Sequence, residues 1–134
     1  MCFSEFRPED YAKETEQRWG DTEAYRQSQR RVATYKKDDL QRIKAEEEQV
    51  RTNLAAAFAA DSADSEEAMA AAEAHRRHIS RWFYDCNYDI HRGLTDMYVN
   101  DEQFRAHYDA TASGLARFIR EAAHANARRA ETDR

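Results

Sequence analysis

His75, His78, Cys86 and His91 are the residues best equipped for chemistry in this 134-residue chain. Imidazole and thiolate together suit zinc, and His75 and His78, three apart, share one helical face. Against a metal, the spacing matches no compact zinc module, and no carboxylate stands out as a support for the imidazoles. A Cys86 nucleophile with His91 as its base would need an oxyanion loop, and three glycines leave little from which to build one. The chain is therefore not read as an enzyme, and no cofactor is expected. His75 reads as a buried, hydrogen-bonded histidine and His78 as a solvent-exposed one. Glu46, Glu47 and Glu48 read as a solvated face, with Glu47 on the apolar stripe, where it pairs with a cation.

Aromatic residues are the stronger feature. Trp82, Phe83 and Tyr84 are consecutive, so they cannot all point into one core; Tyr88, Tyr98, Phe104 and Tyr108 follow closely. Two readings stay open on the residues alone. One is a core short of leucine. The other is the wall of a pocket for a planar ligand, because rings stack on rings and tyrosine hydroxyls add directional contacts.

The elements that must position these residues are helices. Twenty-four alanines, 35% charged residues, three glycines and one proline favour helix and leave little for hairpins. A first helix starts at Pro8, carries Tyr11, Thr15 and Trp19, and stops at Gly20. Asp21 or Thr22 caps a second, with Tyr25, Ser28, Val32 and Tyr35 along one side. A third runs from Lys37 to Ala60 with the stripe Leu40, Ile43, Glu47, Val50, Leu54 and Phe58. After the polar loop 61–65, a fourth presents Ala68, Ala72, His75, Ile79, Trp82 and Cys86. A fifth, about 88–99, presents Ile90, Leu94 and Met97. Asp101 caps a short sixth with Phe104 and Tyr108, and a seventh covers about 113–129 with Leu115, Phe118, Ile119 and Ala122 inward.

Leu, Ile, Val and Phe make up 17 of the 134 residues, few for an ordinary core. Residues 1–39 are poorer still: 17 of them are charged, and Val32 is their single Leu, Ile or Val. Such a segment recovers little ordering entropy alone, so residues 1–36 are expected to form a mobile lid over a core spanning 37–129. The net charge of -5 argues against nucleic acid as the partner of this chain. No stretch approaches a membrane span, and Cys2 and Cys86 form no disulfide framework, so a cytoplasmic monomer without membrane contact is expected.

Three stretches stand in order: Tyr11 through Arg18-Trp19-Gly20 to Thr22, Ala24-Tyr25 and Ser28; His75-Arg76, Trp82-Phe83-Tyr84-Asp85-Cys86, His91-Arg92-Gly93-Leu94, Met97-Tyr98-Val99, Asp101 and Phe104; and Gly114-Leu115-Ala116 with Ala125-Asn126-Ala127. At this matching spacing they are similar to the antibiotic-recognition (TipAS-type) domain of MerR-type regulators. The resemblance implies a single all-α, globin-like domain over 1–134, of about seven helices, holding no haem. It implies capture of bulky, flat, hydrophobic antibiotics such as thiopeptides or albicidin, with the N-terminal helices closing over the ligand. The implied ligand-binding residues are Trp19, Tyr25, His75, Trp82, Phe83, Tyr84, His91, Met97, Tyr98, Phe104 and Tyr108. Gly93 stands where thiol-reactive members of the family carry a cysteine, so capture is expected to be non-covalent. Lys36 replaces a frequent capping Thr, and Leu40 a frequent Trp. No winged helix precedes residue 1, which fits either a free-standing sequestering protein or the sensing part of a longer regulator. The rival expectations are a protein-interaction module and a metal or haem sensor built on His75, His91 and Cys86.

Overall fold

The computed structural model of the chain describes residues 22–132, and among these every regular element is an α-helix. We number them α1 (Glu23–Val32), α2 (Lys37–Ala60), α3 (Glu66–Trp82), α4 (Tyr88–Asn100), α5 (Glu102–Asp109) and α6 (Leu115–Thr132). The expected first helix, with Pro8, Trp19 and Gly20, lies outside the described residues.

Helix starts follow the capping residues. Thr22 Oγ1 accepts the Tyr25 N–H at 3.1 Å, Ser65 Oγ the Ala68 N–H at 3.1 Å, and Asn87 Oδ1 the Ile90 N–H at 2.8 Å. Asp101 Oδ1 serves two amides, those of Gln103 and Phe104. At α2 the Lys36 side chain offers no acceptor, but Asp39 reaches back to the Lys36 N–H at 3.0 Å. That is half of a capping box, and it offsets part of the loss. Helix α6 starts two residues later than its Ser113 expectation. Gly114 takes φ +88°, a left-handed turn that other residues rarely adopt, and Asp109 Oδ1 accepts the Ala116 N–H at 3.0 Å.

Helix α6 is the spine. It packs against α3, α4 and α5 and touches α2, burying Leu115, Ala116, Phe118, Ile119, Ala122 and Ala123. Alanine explains how so few aliphatics suffice. Ala57, Ala68, Ala72, Ala122 and Ala123 are fully buried, letting helices approach closely around Leu54, Leu115 and Ile119. Tyr98, Phe104 and Tyr108 complete this core, Tyr98 stacked on Phe104 with centroids 5.5 Å apart and tilted against Tyr108 at 4.6 Å. A polar clamp joins α3 to α6. Glu73 accepts from Arg76, Arg77 and Asn126, and although burial pushes its carboxyl up, those bonds carry it down to about 2.

Three expectations need correction. Leu40 is 51% exposed and leaves the stripe of α2 at the solvent. His78 is buried rather than exposed, because α2 packs along α3 and covers it. Glu46 is not a solvated carboxylate; it accepts hydrogen bonds from His78 and Trp82 at that same contact. In α4 the residues turned into the core are His91, Thr95 and Tyr98, while Ile90 is 37% exposed. The helix uses two faces, and the second one looks elsewhere.

Candidate functional site

That second face of α4 borders a cavity of about 730 Å³. Ile90, Gly93, Leu94 and Met97 line it from α4, with Tyr98 at the seam between cavity and core. Val50, Leu54, Glu47 and Arg51 contribute from α2, Tyr108 from α5, and Tyr25, Ser28 and Val32 from α1. Helix α3 supplies His75, His78 and Ile79, and the turn after it supplies Phe83 and Tyr84.

Ending α3 at Trp82 solves the problem of three consecutive aromatics. Phe83 N–H and Tyr84 N–H both close on Ile79 O, and the chain leaves the helix axis there. Ser80 Oγ accepts the Cys86 N–H at 2.8 Å, Arg76 donates to Cys86 O at 2.8 Å, and its guanidinium lies 4.3 Å from the Tyr88 ring centroid. Phe83 and Tyr84 are thereby swung to the cavity. Trp82 stays on the helix and points away from it. Its indole N–H donates to Glu46 at 3.1 Å, and its ring meets the edge of Tyr35 at 5.6 Å.

Of the eleven residues implied as ligand-binding, Tyr25, His75, Phe83, Tyr84, Met97, Tyr98 and Tyr108 border the cavity. Three others do not. Trp82 anchors α2 and the end of α1, Phe104 is buried behind Tyr98, and His91 is buried behind His75. Trp19 lies outside the described residues. Sequence reasoning placed Ile79, Ile90 and Leu94 only on helix faces and not among the ligand-binding residues; all three wall the cavity, Ile79 and Leu94 while also packing on the core. A glycine inside a helix was the signal that could have redirected them, since Gly93 leaves open space where a side chain would stand.

Several polar groups of the cavity are paired. Arg51 Nη1 donates to both oxygens of Glu47 at 2.9 Å, which supplies the cation expected for Glu47. His75 Nδ1 and His91 Nε2 share a proton at 2.8 Å, and His75 Nε2 lies 3.4 Å from the Tyr98 hydroxyl. Burial, then the neighbouring imidazoles, hold His75 well below the usual histidine range. Burial, then the Arg76 cation, hold His91 down at about 4. Both rings are therefore neutral near pH 7. The Cys86 thiol is buried, leans on Asn87 O at 3.8 Å, and is pushed up to about 12 by that burial, so it is a poor nucleophile. His75, His91 and Cys86 do not converge on one point, and no group of three His, Cys, Asp or Glu among the described residues is placed to hold a metal ion.

A helical cleft of this size with an aromatic and aliphatic wall and a few fixed polar groups is suited to a large apolar ligand. Comparison with known proteins agrees with that geometry. Residues 11–126 match the family model of the TipAS antibiotic-recognition domain. The chain belongs to this family. The HTH-type transcriptional activator TipA of Streptomyces coelicolor is 48% identical over 126 residues, covering 93% of this chain and 50% of that protein. The HTH-type transcriptional activator mta of Bacillus subtilis is 37% identical over 112 residues, covering 84% and 43%. This TipAS-family chain thus spans about half the length of the curated relatives it matches. The solved complex of nosiheptide with TipAS from Streptomyces lividans superposes with a TM-score of 0.87 at 46% identity, covering 96% of this chain and 90% of that one. The antibiotic-binding domain of a TipA-class multidrug resistance transcriptional regulator follows with a TM-score of 0.62, also at 46% identity, covering 67% and 97%.

Proposed function

We propose that this TipAS-family domain captures a bulky, flat, largely apolar thiopeptide antibiotic in the cavity between α1, α2, α3 and α4. The observation that carries the reading is the 730 Å³ cavity itself, walled by Tyr25, Phe83, Tyr84, Met97 and Tyr108 and held by helices superposable on a nosiheptide-binding relative. Ring stacking and burial supply the affinity; no bond is made or broken, and the domain acts as a binder rather than an enzyme. Capture is non-covalent, because Gly93 offers no thiol to the cavity and the Cys86 thiol is buried and protonated.

Helix α1 acts as part of the lid. It buries none of its own residues, and polar bonds tie it to the end of α3: Arg31 donates to Ser80 O at 2.6 Å and to Asp85 at 2.8 Å, and Gln27 Oε1 accepts the Asp85 N–H at 2.8 Å. Such an element opens at low cost and regains order when a ligand fills the space beneath it. In a longer protein with a DNA-binding part, as in the relatives described as transcriptional activators, the domain would report the ligand to a promoter. Acting alone, it would sequester the drug. Titration calorimetry with nosiheptide tests the proposal. One-to-one binding with an unchanged intact mass supports it, and the absence of heat or of any spectral change on addition overturns it.

A further inference from the structure

Glu46 sits where α2 crosses the end of α3, one step back from the cavity. Its Oε1 accepts two donors of α3, His78 Nδ1 at 2.7 Å and the Trp82 indole N–H at 3.1 Å, while Oε2 accepts Arg81 at 3.2 Å. Trp82 in turn holds the segment 33–36 that joins α1 to α2. Its carbonyl accepts the Tyr35 hydroxyl, and its ring meets the Tyr35 ring edge-on at 5.6 Å. These contacts form one chain, from His78 through Glu46 and Trp82 to Tyr35. His78 is the member that borders the cavity; the other three are set back from it.

The two ends of the chain stand in different surroundings. The His78 side chain is 5% exposed and that of Glu46 is 32% exposed, so water competes for the carboxylate chiefly from outside. A ligand that fills the cavity excludes water from the His78 side and lowers the local dielectric there, which strengthens the bond to Glu46. A carboxylate fixed at one oxygen has less freedom left to lose, so holding the indole at that same oxygen costs less ordering entropy. Tyr35 gains by the same route, because Trp82 presents it with both a carbonyl and a ring. Helix α1 is the element that can respond. It buries none of its residues, and polar links to the end of α3 retain it, so its hold can be firm or loose at small cost.

We propose that Glu46 couples occupancy of the cavity to the hold on the α1–α2 joint. Filling the cavity firms Tyr35 on Trp82, and by reciprocity a firm joint raises the affinity for whatever fills the cavity. Glu46, Trp82 and Tyr35 are positioning residues: each acts through its neighbour and touches no ligand. The inference rests on the capture reading above and adds how occupancy reaches a point outside the cavity. Helix α1 also borders the cavity directly, through Tyr25, Ser28 and Val32, so the two routes have to be separated.

Calorimetry with nosiheptide on a double-mutant cycle separates them. Y35F keeps the ring and removes a hydroxyl set back from the cavity. It should bind about fivefold more weakly, the low end of ordinary coupling between sites. In an E46A background the same Y35F change should cost less than about twofold, the scatter expected of uncoupled positions. Equal affinity of the wild type and Y35F overturns the proposal. A fivefold loss that persists undiminished with E46A also overturns it, and assigns the effect to the direct contact of α1 with the ligand. Should E46A fail to fold, H78F breaks the chain at its cavity end and serves in the same cycle. The second arm is spectroscopic. The protein has two tryptophans, and W82F identifies the Trp82 indole N–H resonance. In the wild type that resonance should move on saturation with nosiheptide and exchange with solvent severalfold more slowly. An unchanged indole resonance overturns the coupling and leaves capture standing. No binding by the wild type removes the capture reading, and this inference with it.

Discussion

Gly93 is the residue on which the cavity turns. An added Cβ there meets nothing within 4 Å, so the backbone penalty of a mid-helix glycine is unrelieved by any close packing. Gly93→Ala should therefore stabilise the free domain by about 1 kcal/mol in a denaturant titration. Gly93→Leu should leave stability no worse and fill part of the cavity, weakening nosiheptide binding at least tenfold by calorimetry. The buried histidines predict a pH dependence at the same scale. His91 has a folded value of about 4, depressed from 6.5, so its contribution is complete above about pH 6.5 and is lost as pH falls towards 4. That interval is worth up to about 3 kcal/mol from this ring, and His75 acts in the same direction. Glu73 follows at lower pH, from 4.5 to about 2. Melting temperature should be flat between pH 7 and 8 and drop steeply from pH 6 to 4. A profile flat down to pH 4 would contradict neutral buried imidazoles.

At the scale of elements, α1 and α4 show how differently a helix can be held. Helix α4 uses both faces, His91, Thr95 and Tyr98 against the core and Ile90, Leu94 and Met97 against the cavity. Its periodicity in the sequence therefore showed apolar positions without showing which face met which neighbour. Helix α1 buries nothing, and Arg31 and Gln27 supply its side-chain links to the end of α3. Arg31→Ala should leave the global melting temperature within about 2 °C, because surface ion pairs contribute little to it. Amide exchange of residues 23–32 should accelerate in that variant, and nosiheptide affinity should fall severalfold. Unchanged exchange in α1 would show that Arg31 is not what retains it.

The whole molecule trades core for cavity. Its central cluster is alanine-rich and its rings stack between α4 and α5, so part of the stability a larger core would give is left to a ligand. A ligand at one hundred times its dissociation constant adds about 2.7 kcal/mol. For a chain of this length that corresponds to a rise of about 10 °C in melting temperature on adding nosiheptide, measurable by calorimetric scan. A shift below about 2 °C would mean that nosiheptide is not captured by the folded domain.

Much of this was legible in the chain. The six described helices and most of their caps were readable because Ser, Asn, Asp and Thr at helix starts and the three-four apolar spacing act locally. The affiliation was carried by three stretches in order at matching spacing. Phe83, Tyr84 and Tyr108 could be named as cavity candidates because aromatics in excess of a small core's needs must be used somewhere, whereas Tyr25 and Met97 were named through the family resemblance. Which rings faced the cavity was decided in three dimensions. Trp82 and Phe83 are neighbours in sequence, yet the end of α3 sends one to Glu46 and the other to the cavity. His78 was expected in solvent; Glu46, 32 residues earlier, became its partner when α2 packed across it. Helix formation depends on neighbours three or four residues away, so sequence determines it. Burial and proton placement depend on groups brought together from distant positions, so packing alone decides them.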